Sequence, residues 1–152
     1  MKEAITSFEG LANHAKKVLE HILQKKDTTN QTATVIALIG NLGAGKTAWT
    51  KVLAEYLGVE EIVNSPTFVI LKNYRTPHST FSTLTHIDAY RLTTKADLEK
   101  LGWSELVKDP KRIICIEWPS QVEGLVPEHA HKIHFTFIDE KTREIEVYYA
   151  NE

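Results

Sequence analysis

The clearest chemistry in the chain lies in eight consecutive residues, Gly40-Asn41-Leu42-Gly43-Ala44-Gly45-Lys46-Thr47. They satisfy the phosphate-loop pattern G-x-x-x-x-G-K-[ST] at each fixed position. Glycines let backbone N–H groups curl around an anion where a Cβ would clash. The helix that follows the loop adds the partial positive charge of its N-terminus. Asn41, Leu42, Gly43, Ala44, Gly45, Lys46, Thr47 and Ala48 are therefore expected to surround bound phosphates. Lys46 would reach the terminal phosphates, and the Thr47 hydroxyl would ligate Mg²⁺.

Such a loop needs an acid at the end of a buried strand to orient the metal, its water or the attacking water. Two residues fit. Glu117 follows the apolar run Ile113-Ile114-Cys115-Ile116, and Asp88 follows Leu84-Thr85-His86-Ile87. We expect Glu117 on the metal side and Asp88 near the γ-phosphate or the attacking water; which of them positions that water stays open. Ser65-Pro66-Thr67 offers two hydroxyls that would sense the γ-phosphate or Mg²⁺, although Pro66 alone would explain a strand-entry turn. Thr94-Lys95-Ala96-Asp97 looks like a guanine-reading element but follows no strand. It reads better as a helix start with Thr94 as N-cap. His86 reads as a satisfied strand residue and Cys115 as an inert core thiol. Trp49 and Trp103 are expected to pack in the core, whereas Trp118 adjoins the candidate acid Glu117.

These residues need a frame. Phe8, Leu11, Ala12, Ala15, Val18, Leu19, Ile22 and Leu23 recur at helical spacing, and Thr6 with Glu9 fits a capping box. This predicts a helix over about residues 7–25, ahead of the loop. Val35 to Ile39 reads as the strand entering the loop, Ala48 to Leu57 as the helix leaving it, and Gly58 as its stop. Phe68 to Tyr74, Leu84 to Ile87 and Arg112 to Glu117 read as strands, and residues 96–107 as one helical stretch. Lys132 to Ile138 and Glu144 to Tyr149 alternate around Asp139 to Thr142, which predicts an antiparallel hairpin. The expectation is one α/β domain over residues 1–152, a P-loop NTPase three-layer sandwich with a mixed sheet and a C-terminal antiparallel hairpin.

Bulk properties agree. A formal net charge of −2 argues against a whole-molecule nucleic-acid binder. Lys16, Lys17, Lys25 and Lys26 form at most a local patch, more simply read as a solvated helix face. The lone Cys115 excludes an intramolecular disulfide, and neither a signal-peptide core nor a membrane-length apolar run is present. The expected location is the cytoplasm.

Four motifs occur in order: the phosphate loop, Ser65-Pro66-Thr67-Phe68, His86-Ile87-Asp88-Ala89-Tyr90-Arg91-Leu92, and Ile116-Glu117-Trp118-Pro119. Together they resemble the TsaE (YjeE) family, small bacterial ATPases of tRNA threonylcarbamoyladenosine synthesis, over nearly the whole chain. The resemblance implies ATP and Mg²⁺ as cofactors, slow hydrolysis alone, and assembly with TsaB and TsaD. It implies tRNA as a partner through that complex. By position, Lys46, Asp88 and Glu117 match catalytic residues, Thr47 and Glu117 the metal contacts, and Ser65, Thr67 and Trp118 the nucleotide surroundings. Arg143 would approach the nucleotide from the hairpin, and residues near Thr6 to Leu11 would pack on the base. Alternatives from other classes are a small-molecule kinase, which needs an Arg-rich lid, and a nucleotide-gated adaptor without turnover.

Overall fold

The computed structural model describes residues 1–64 and 69–150. Its strands are β1 (Lys2–Ile5), β2 (Thr34–Ile39), β3 (Leu71–Arg75), β4 (Thr83–Asp88), β5 (Arg112–Glu117), β6 (His131–Asp139) and β7 (Thr142–Tyr148). Its helices are α1 (Phe8–Lys25), α2 (Lys46–Leu57), α3 (Lys95–Glu99) and α4 (Trp103–Leu106). The strands form one seven-stranded sheet in the order β1-β7-β6-β2-β5-β4-β3. The central strands β6, β2, β5 and β4 run parallel, and β1, β7 and β3 pair antiparallel at the edges. The sheet is mixed, as expected from the terminal hairpin.

Strands β2, β4 and β5 are buried on both faces, whereas β6 buries only Ile133 and Phe135. Val35, Ala37, Ile114 and Ile116 pack toward Leu98, Trp103 and Val122, while Ile36, Leu38, Ile113 and Cys115 pack toward α1 and α2. The unbroken apolar run at Ile113 to Ile116 follows from this two-sided burial. The chain thus leaves β2 over one face through α2 and returns from β4 and β5 over the other. That arrangement brings the carboxyl ends of β2, β4 and β5 side by side, where open α/β sheets place their ligands.

Three local readings need correction. The cap of α1 is Ser7, whose hydroxyl accepts from the Gly10 amide at 2.9 Å, rather than Thr6. The shift arises because Ile5 is buried and held in register opposite Arg143 by β1, an edge strand that Lys2-Glu3-Ala4-Ile5 does not announce. The helical stretch over 96–107 is two short helices, because Gly102 adopts φ 90° between them. At its start the Thr94–Asp97 capping box does form. The strand expected from Phe68 begins at Leu71, after Ile70 at φ 68°.

Trp49 fastens the helix behind the phosphate loop. Its indole N–H donates to His14 Nδ1 at 3.1 Å, and its ring meets Phe135 edge-on at 6.5 Å. His14 is fully buried, and its Nε2 has no partner. Burial holds the imidazole below its ordinary value of 6.5, against the pull of Glu3, with Lys17 adding to the lowering. The unfolded chain therefore binds a proton that the folded chain refuses. This contribution to stability is complete above about pH 6.5 and declines as pH falls toward the folded value. We expect the thermal midpoint to drop on going from about pH 7.5 to about pH 5.5, by roughly 2–4 °C per kcal/mol lost. His14→Leu should flatten the slope in a thermal scan; an unchanged slope would rule His14 out as its source.

Among the described residues, no helix is long and apolar enough to cross a membrane.

Candidate active site

The phosphate loop joins β2 to α2. Two of its glycines are required by geometry. A Cβ on Gly40 would lie 2.7 Å from the Phe135 carbonyl, and Gly45 caps α2 at φ 107°. The N-terminus of α2 has no side-chain cap and no acid in its first turn. By contrast, α1 is capped by Ser7, and α3 has the Thr94–Asp97 box. The unpaired amides and positive end of α2 are thus left for an anion from outside. Leu42 stands at the loop rim with its side chain exposed.

Lys46 points into this concavity and is 4 % exposed. Its ammonium donates to the Gly40 carbonyl and lies 3.6 Å from the centre of the Trp118 ring. Burial holds its pKa below the usual lysine value, while the carboxylates of Glu117 and Asp88 pull it back up. Trp118 holds φ 59° immediately before Pro119, an uncommon conformation for an aromatic residue. Tyr90 flanks its ring, with centroids 5.0 Å apart.

Glu117 and Asp88 end adjacent parallel strands and lie directly opposite each other in register. Both are buried. The Thr47 hydroxyl donates to Glu117 Oε2 at 3.0 Å, with Oε1 at 3.3 Å. Asp88 Oδ1 accepts from the Tyr90 amide at 3.0 Å, and the Asp88 amide donates to Ile70 O at 2.8 Å. The expected acids and the loop are therefore brought together.

Arg143 also arrives. Its Nη2 donates to the Gly43 carbonyl at 3.3 Å and its Nη1 to the Asp139 carbonyl at 2.7 Å, with Phe137 packed against the guanidinium. Arg143 thus ties the hairpin to the loop and places a fixed positive charge at its mouth. We expect Arg143→Ala to weaken nucleotide binding about tenfold, near 1.4 kcal/mol, with little loss of stability. Arg143→Lys should not restore it, because the planar fork is gone. Calorimetric titration with ATP checks both. Ser65 and Thr67 lie outside the described residues.

One member of the site was misread from sequence. His86 is not an ordinary satisfied strand residue: its Nε2 lies 2.6 Å from Glu117 Oε2, and its Nδ1 has no partner. Only the parallel register of β4 and β5 puts these two residues together. Cys115 is, as expected, a buried thiol, pushed well above its usual pKa by burial. Of the four lysines, Lys17 pairs with Glu3 at 3.1 Å and Lys26 reaches Thr34 and the Phe81 ring.

Residues 8–145 match the model of the family described as threonylcarbamoyl adenosine biosynthesis protein TsaE. The chain belongs to the TsaE family. Its relatives include the tRNA threonylcarbamoyladenosine biosynthesis protein TsaE of Bacillus subtilis, 38 % identical over 73 % of this chain and 66 % of that protein. The TsaE of Treponema pallidum is 37 % identical over 77 % of this chain and 83 % of that one. A crystal structure of YdiB from Bacillus subtilis superposes with a TM-score of 0.74 at 28 % identity, covering 100 % of this chain and 86 % of that one. The TsaE family takes part in tRNA threonylcarbamoyladenosine biosynthesis, and the mixed seven-stranded sheet agrees with the matched structure.

The residues present suit a nucleotide-held metal. Among the described residues, no three His, Cys, Asp or Glu side chains are placed to hold an ion alone. A metal beside Thr47 and Glu117 would need phosphate oxygens to complete its shell, as expected for Mg²⁺ at a phosphate loop.

Proposed function

We infer that this chain is a Mg²⁺-dependent ATPase of the P-loop NTPase class. In this reading it is the subunit that keeps a TsaB–TsaD complex cycling as it modifies tRNA in the cytoplasm. The observation that carries the reading is the uncapped N-terminus of α2 behind a glycine cradle. Buried Lys46 is aimed into that cradle, and the Thr47–Glu117 pair stands at its edge.

Each residue then has a part. Loop amides and Lys46 bind the β- and γ-phosphates. The Thr47 hydroxyl donates to Glu117, which leaves its oxygen lone pairs free to hold a metal. Thr47 and Glu117 would hold Mg²⁺, which would supply positive charge to offset the negative charge that builds during transfer. Asp88, on the opposite strand end, orients the attacking water. Oxygen of that water bonds to the γ-phosphorus as the bond to the bridging oxygen breaks. ADP and phosphate leave, and the water's proton passes to phosphate or solvent. Arg143 and Trp118 border the nucleotide.

A kinase lid has little support. Arg112 is engaged by Asn73, Thr85 and Asp109 at the far end of the sheet, away from the phosphate loop. The test is reconstitution of threonylcarbamoyladenosine formation on tRNA by TsaB and TsaD. Adding this chain with ATP should turn a single round into many rounds. No gain in rounds would remove the assembly-ATPase reading.

A further inference from the structure

His86 takes an inward position on β4 between Leu84 and Asp88, and none of its side chain reaches solvent. Across the sheet it faces Cys115, and Leu84 and Ile113 nearby are fully buried. An aliphatic side chain would satisfy both strand and core at such a place. The imidazole brings two polar nitrogens, and only Nε2 is bonded. A buried nitrogen without a partner lowers stability, so its retention points to the task of the other nitrogen.

That nitrogen touches Glu117 Oε2, the same oxygen that Thr47 reaches at 3.0 Å. An ionised carboxylate only accepts, so the shared proton belongs to Nε2. Two donors converging from different elements stop the carboxylate from turning about its Cγ–Cδ bond. Thr47 is then aimed with its proton toward Glu117 and its lone pairs outward.

We propose that His86 is a positioning residue whose Nε2–H fixes the Glu117 carboxylate and, through it, the metal-facing side of Thr47. It acts through Glu117 and not on the nucleotide. The proposal rests on the assignment of Thr47 and Glu117 as the metal site.

Two substitutions test it. His86→Leu removes the donor and fills the core; His86→Gln keeps an N–H at similar reach. ATP affinity is measured by calorimetry with Mg²⁺ and in EDTA, alongside the thermal midpoint. We expect His86→Leu to cut the Mg²⁺-dependent gain in affinity by about tenfold or more. Its affinity in EDTA should stay within about threefold, and its midpoint should hold or rise. His86→Gln should recover most of the gain. An undiminished gain in His86→Leu overturns the proposal, as does equal loss in His86→Gln. Failure of the underlying metal-site reading looks different, because the wild-type chain would itself show no Mg²⁺-dependent gain. A second readout needs no nucleotide: ¹⁵N NMR of the His86 ring in the wild-type chain and in Glu117→Ala. The proton should sit on Nε2, with a resonance that shifts when the carboxylate is removed. A proton on Nδ1 alone overturns the proposal.

Discussion

Lys46→Ala should reduce ATP affinity by at least about a hundredfold, close to 2.7 kcal/mol, and with it the rate of phosphate release at any attainable ATP concentration. Water screens an exposed lysine, but Lys46 is 4 % exposed and works where its charge is poorly screened. Its present partners are weak substitutes for phosphate. One carbonyl and one aromatic face hold the ammonium, and burial lowers its pKa despite Glu117 and Asp88 nearby. The charge is thus kept at some cost to the fold until an anion arrives. Lys46→Met, which fills the same space without charge, should bind ATP as poorly as the alanine variant while keeping or raising the thermal midpoint. Calorimetry and a thermal scan on the two variants separate a lost contact from a lost fold. ATP affinity within about threefold of wild type in either variant would remove Lys46 from the site.

Glu117→Gln should lower Mg²⁺-dependent phosphate release by about a hundredfold or more, while affinity for ATP in EDTA changes little. Glutamine keeps the shape and can still accept from Thr47 and His86, so packing survives. What disappears is a negative charge buried beside the Thr47 hydroxyl and opposite Asp88. Steady-state phosphate release over a range of Mg²⁺ concentrations checks this. If Asp88 were the metal acid instead, Asp88→Asn would show the metal dependence and Glu117→Gln would not.

The site was legible in sequence wherever chemistry demands neighbours in the chain. Gly40 to Thr47 are contiguous, so the pattern on which the proposed phosphate site rests can be read from the chain directly. Glu117 and Asp88 were legible because an acid closing a buried strand marks the carboxyl edge of a sheet. His86 was not: its partner is 31 residues away, and only strand register shows that they face the same way. Arg143 meets Gly43 across 100 residues, and no local spacing encodes that approach; the family resemblance supplied it. The fold followed the same rule. Strands β2 and β5 announce themselves by apolar runs buried on both faces, whereas β1 is a short edge strand of mixed residues held by pairing with β7. The division into α3 and α4 turned on the conformation of Gly102, which composition alone does not decide.

The most direct test is the steady-state rate of phosphate release from Mg²⁺-ATP, measured for this chain alone and with purified TsaB and TsaD. A slow rate alone, strongly raised by the two partners and abolished by Lys46→Ala, is the predicted result. ATP bound with no phosphate released, in the presence or absence of the partners, would contradict the account.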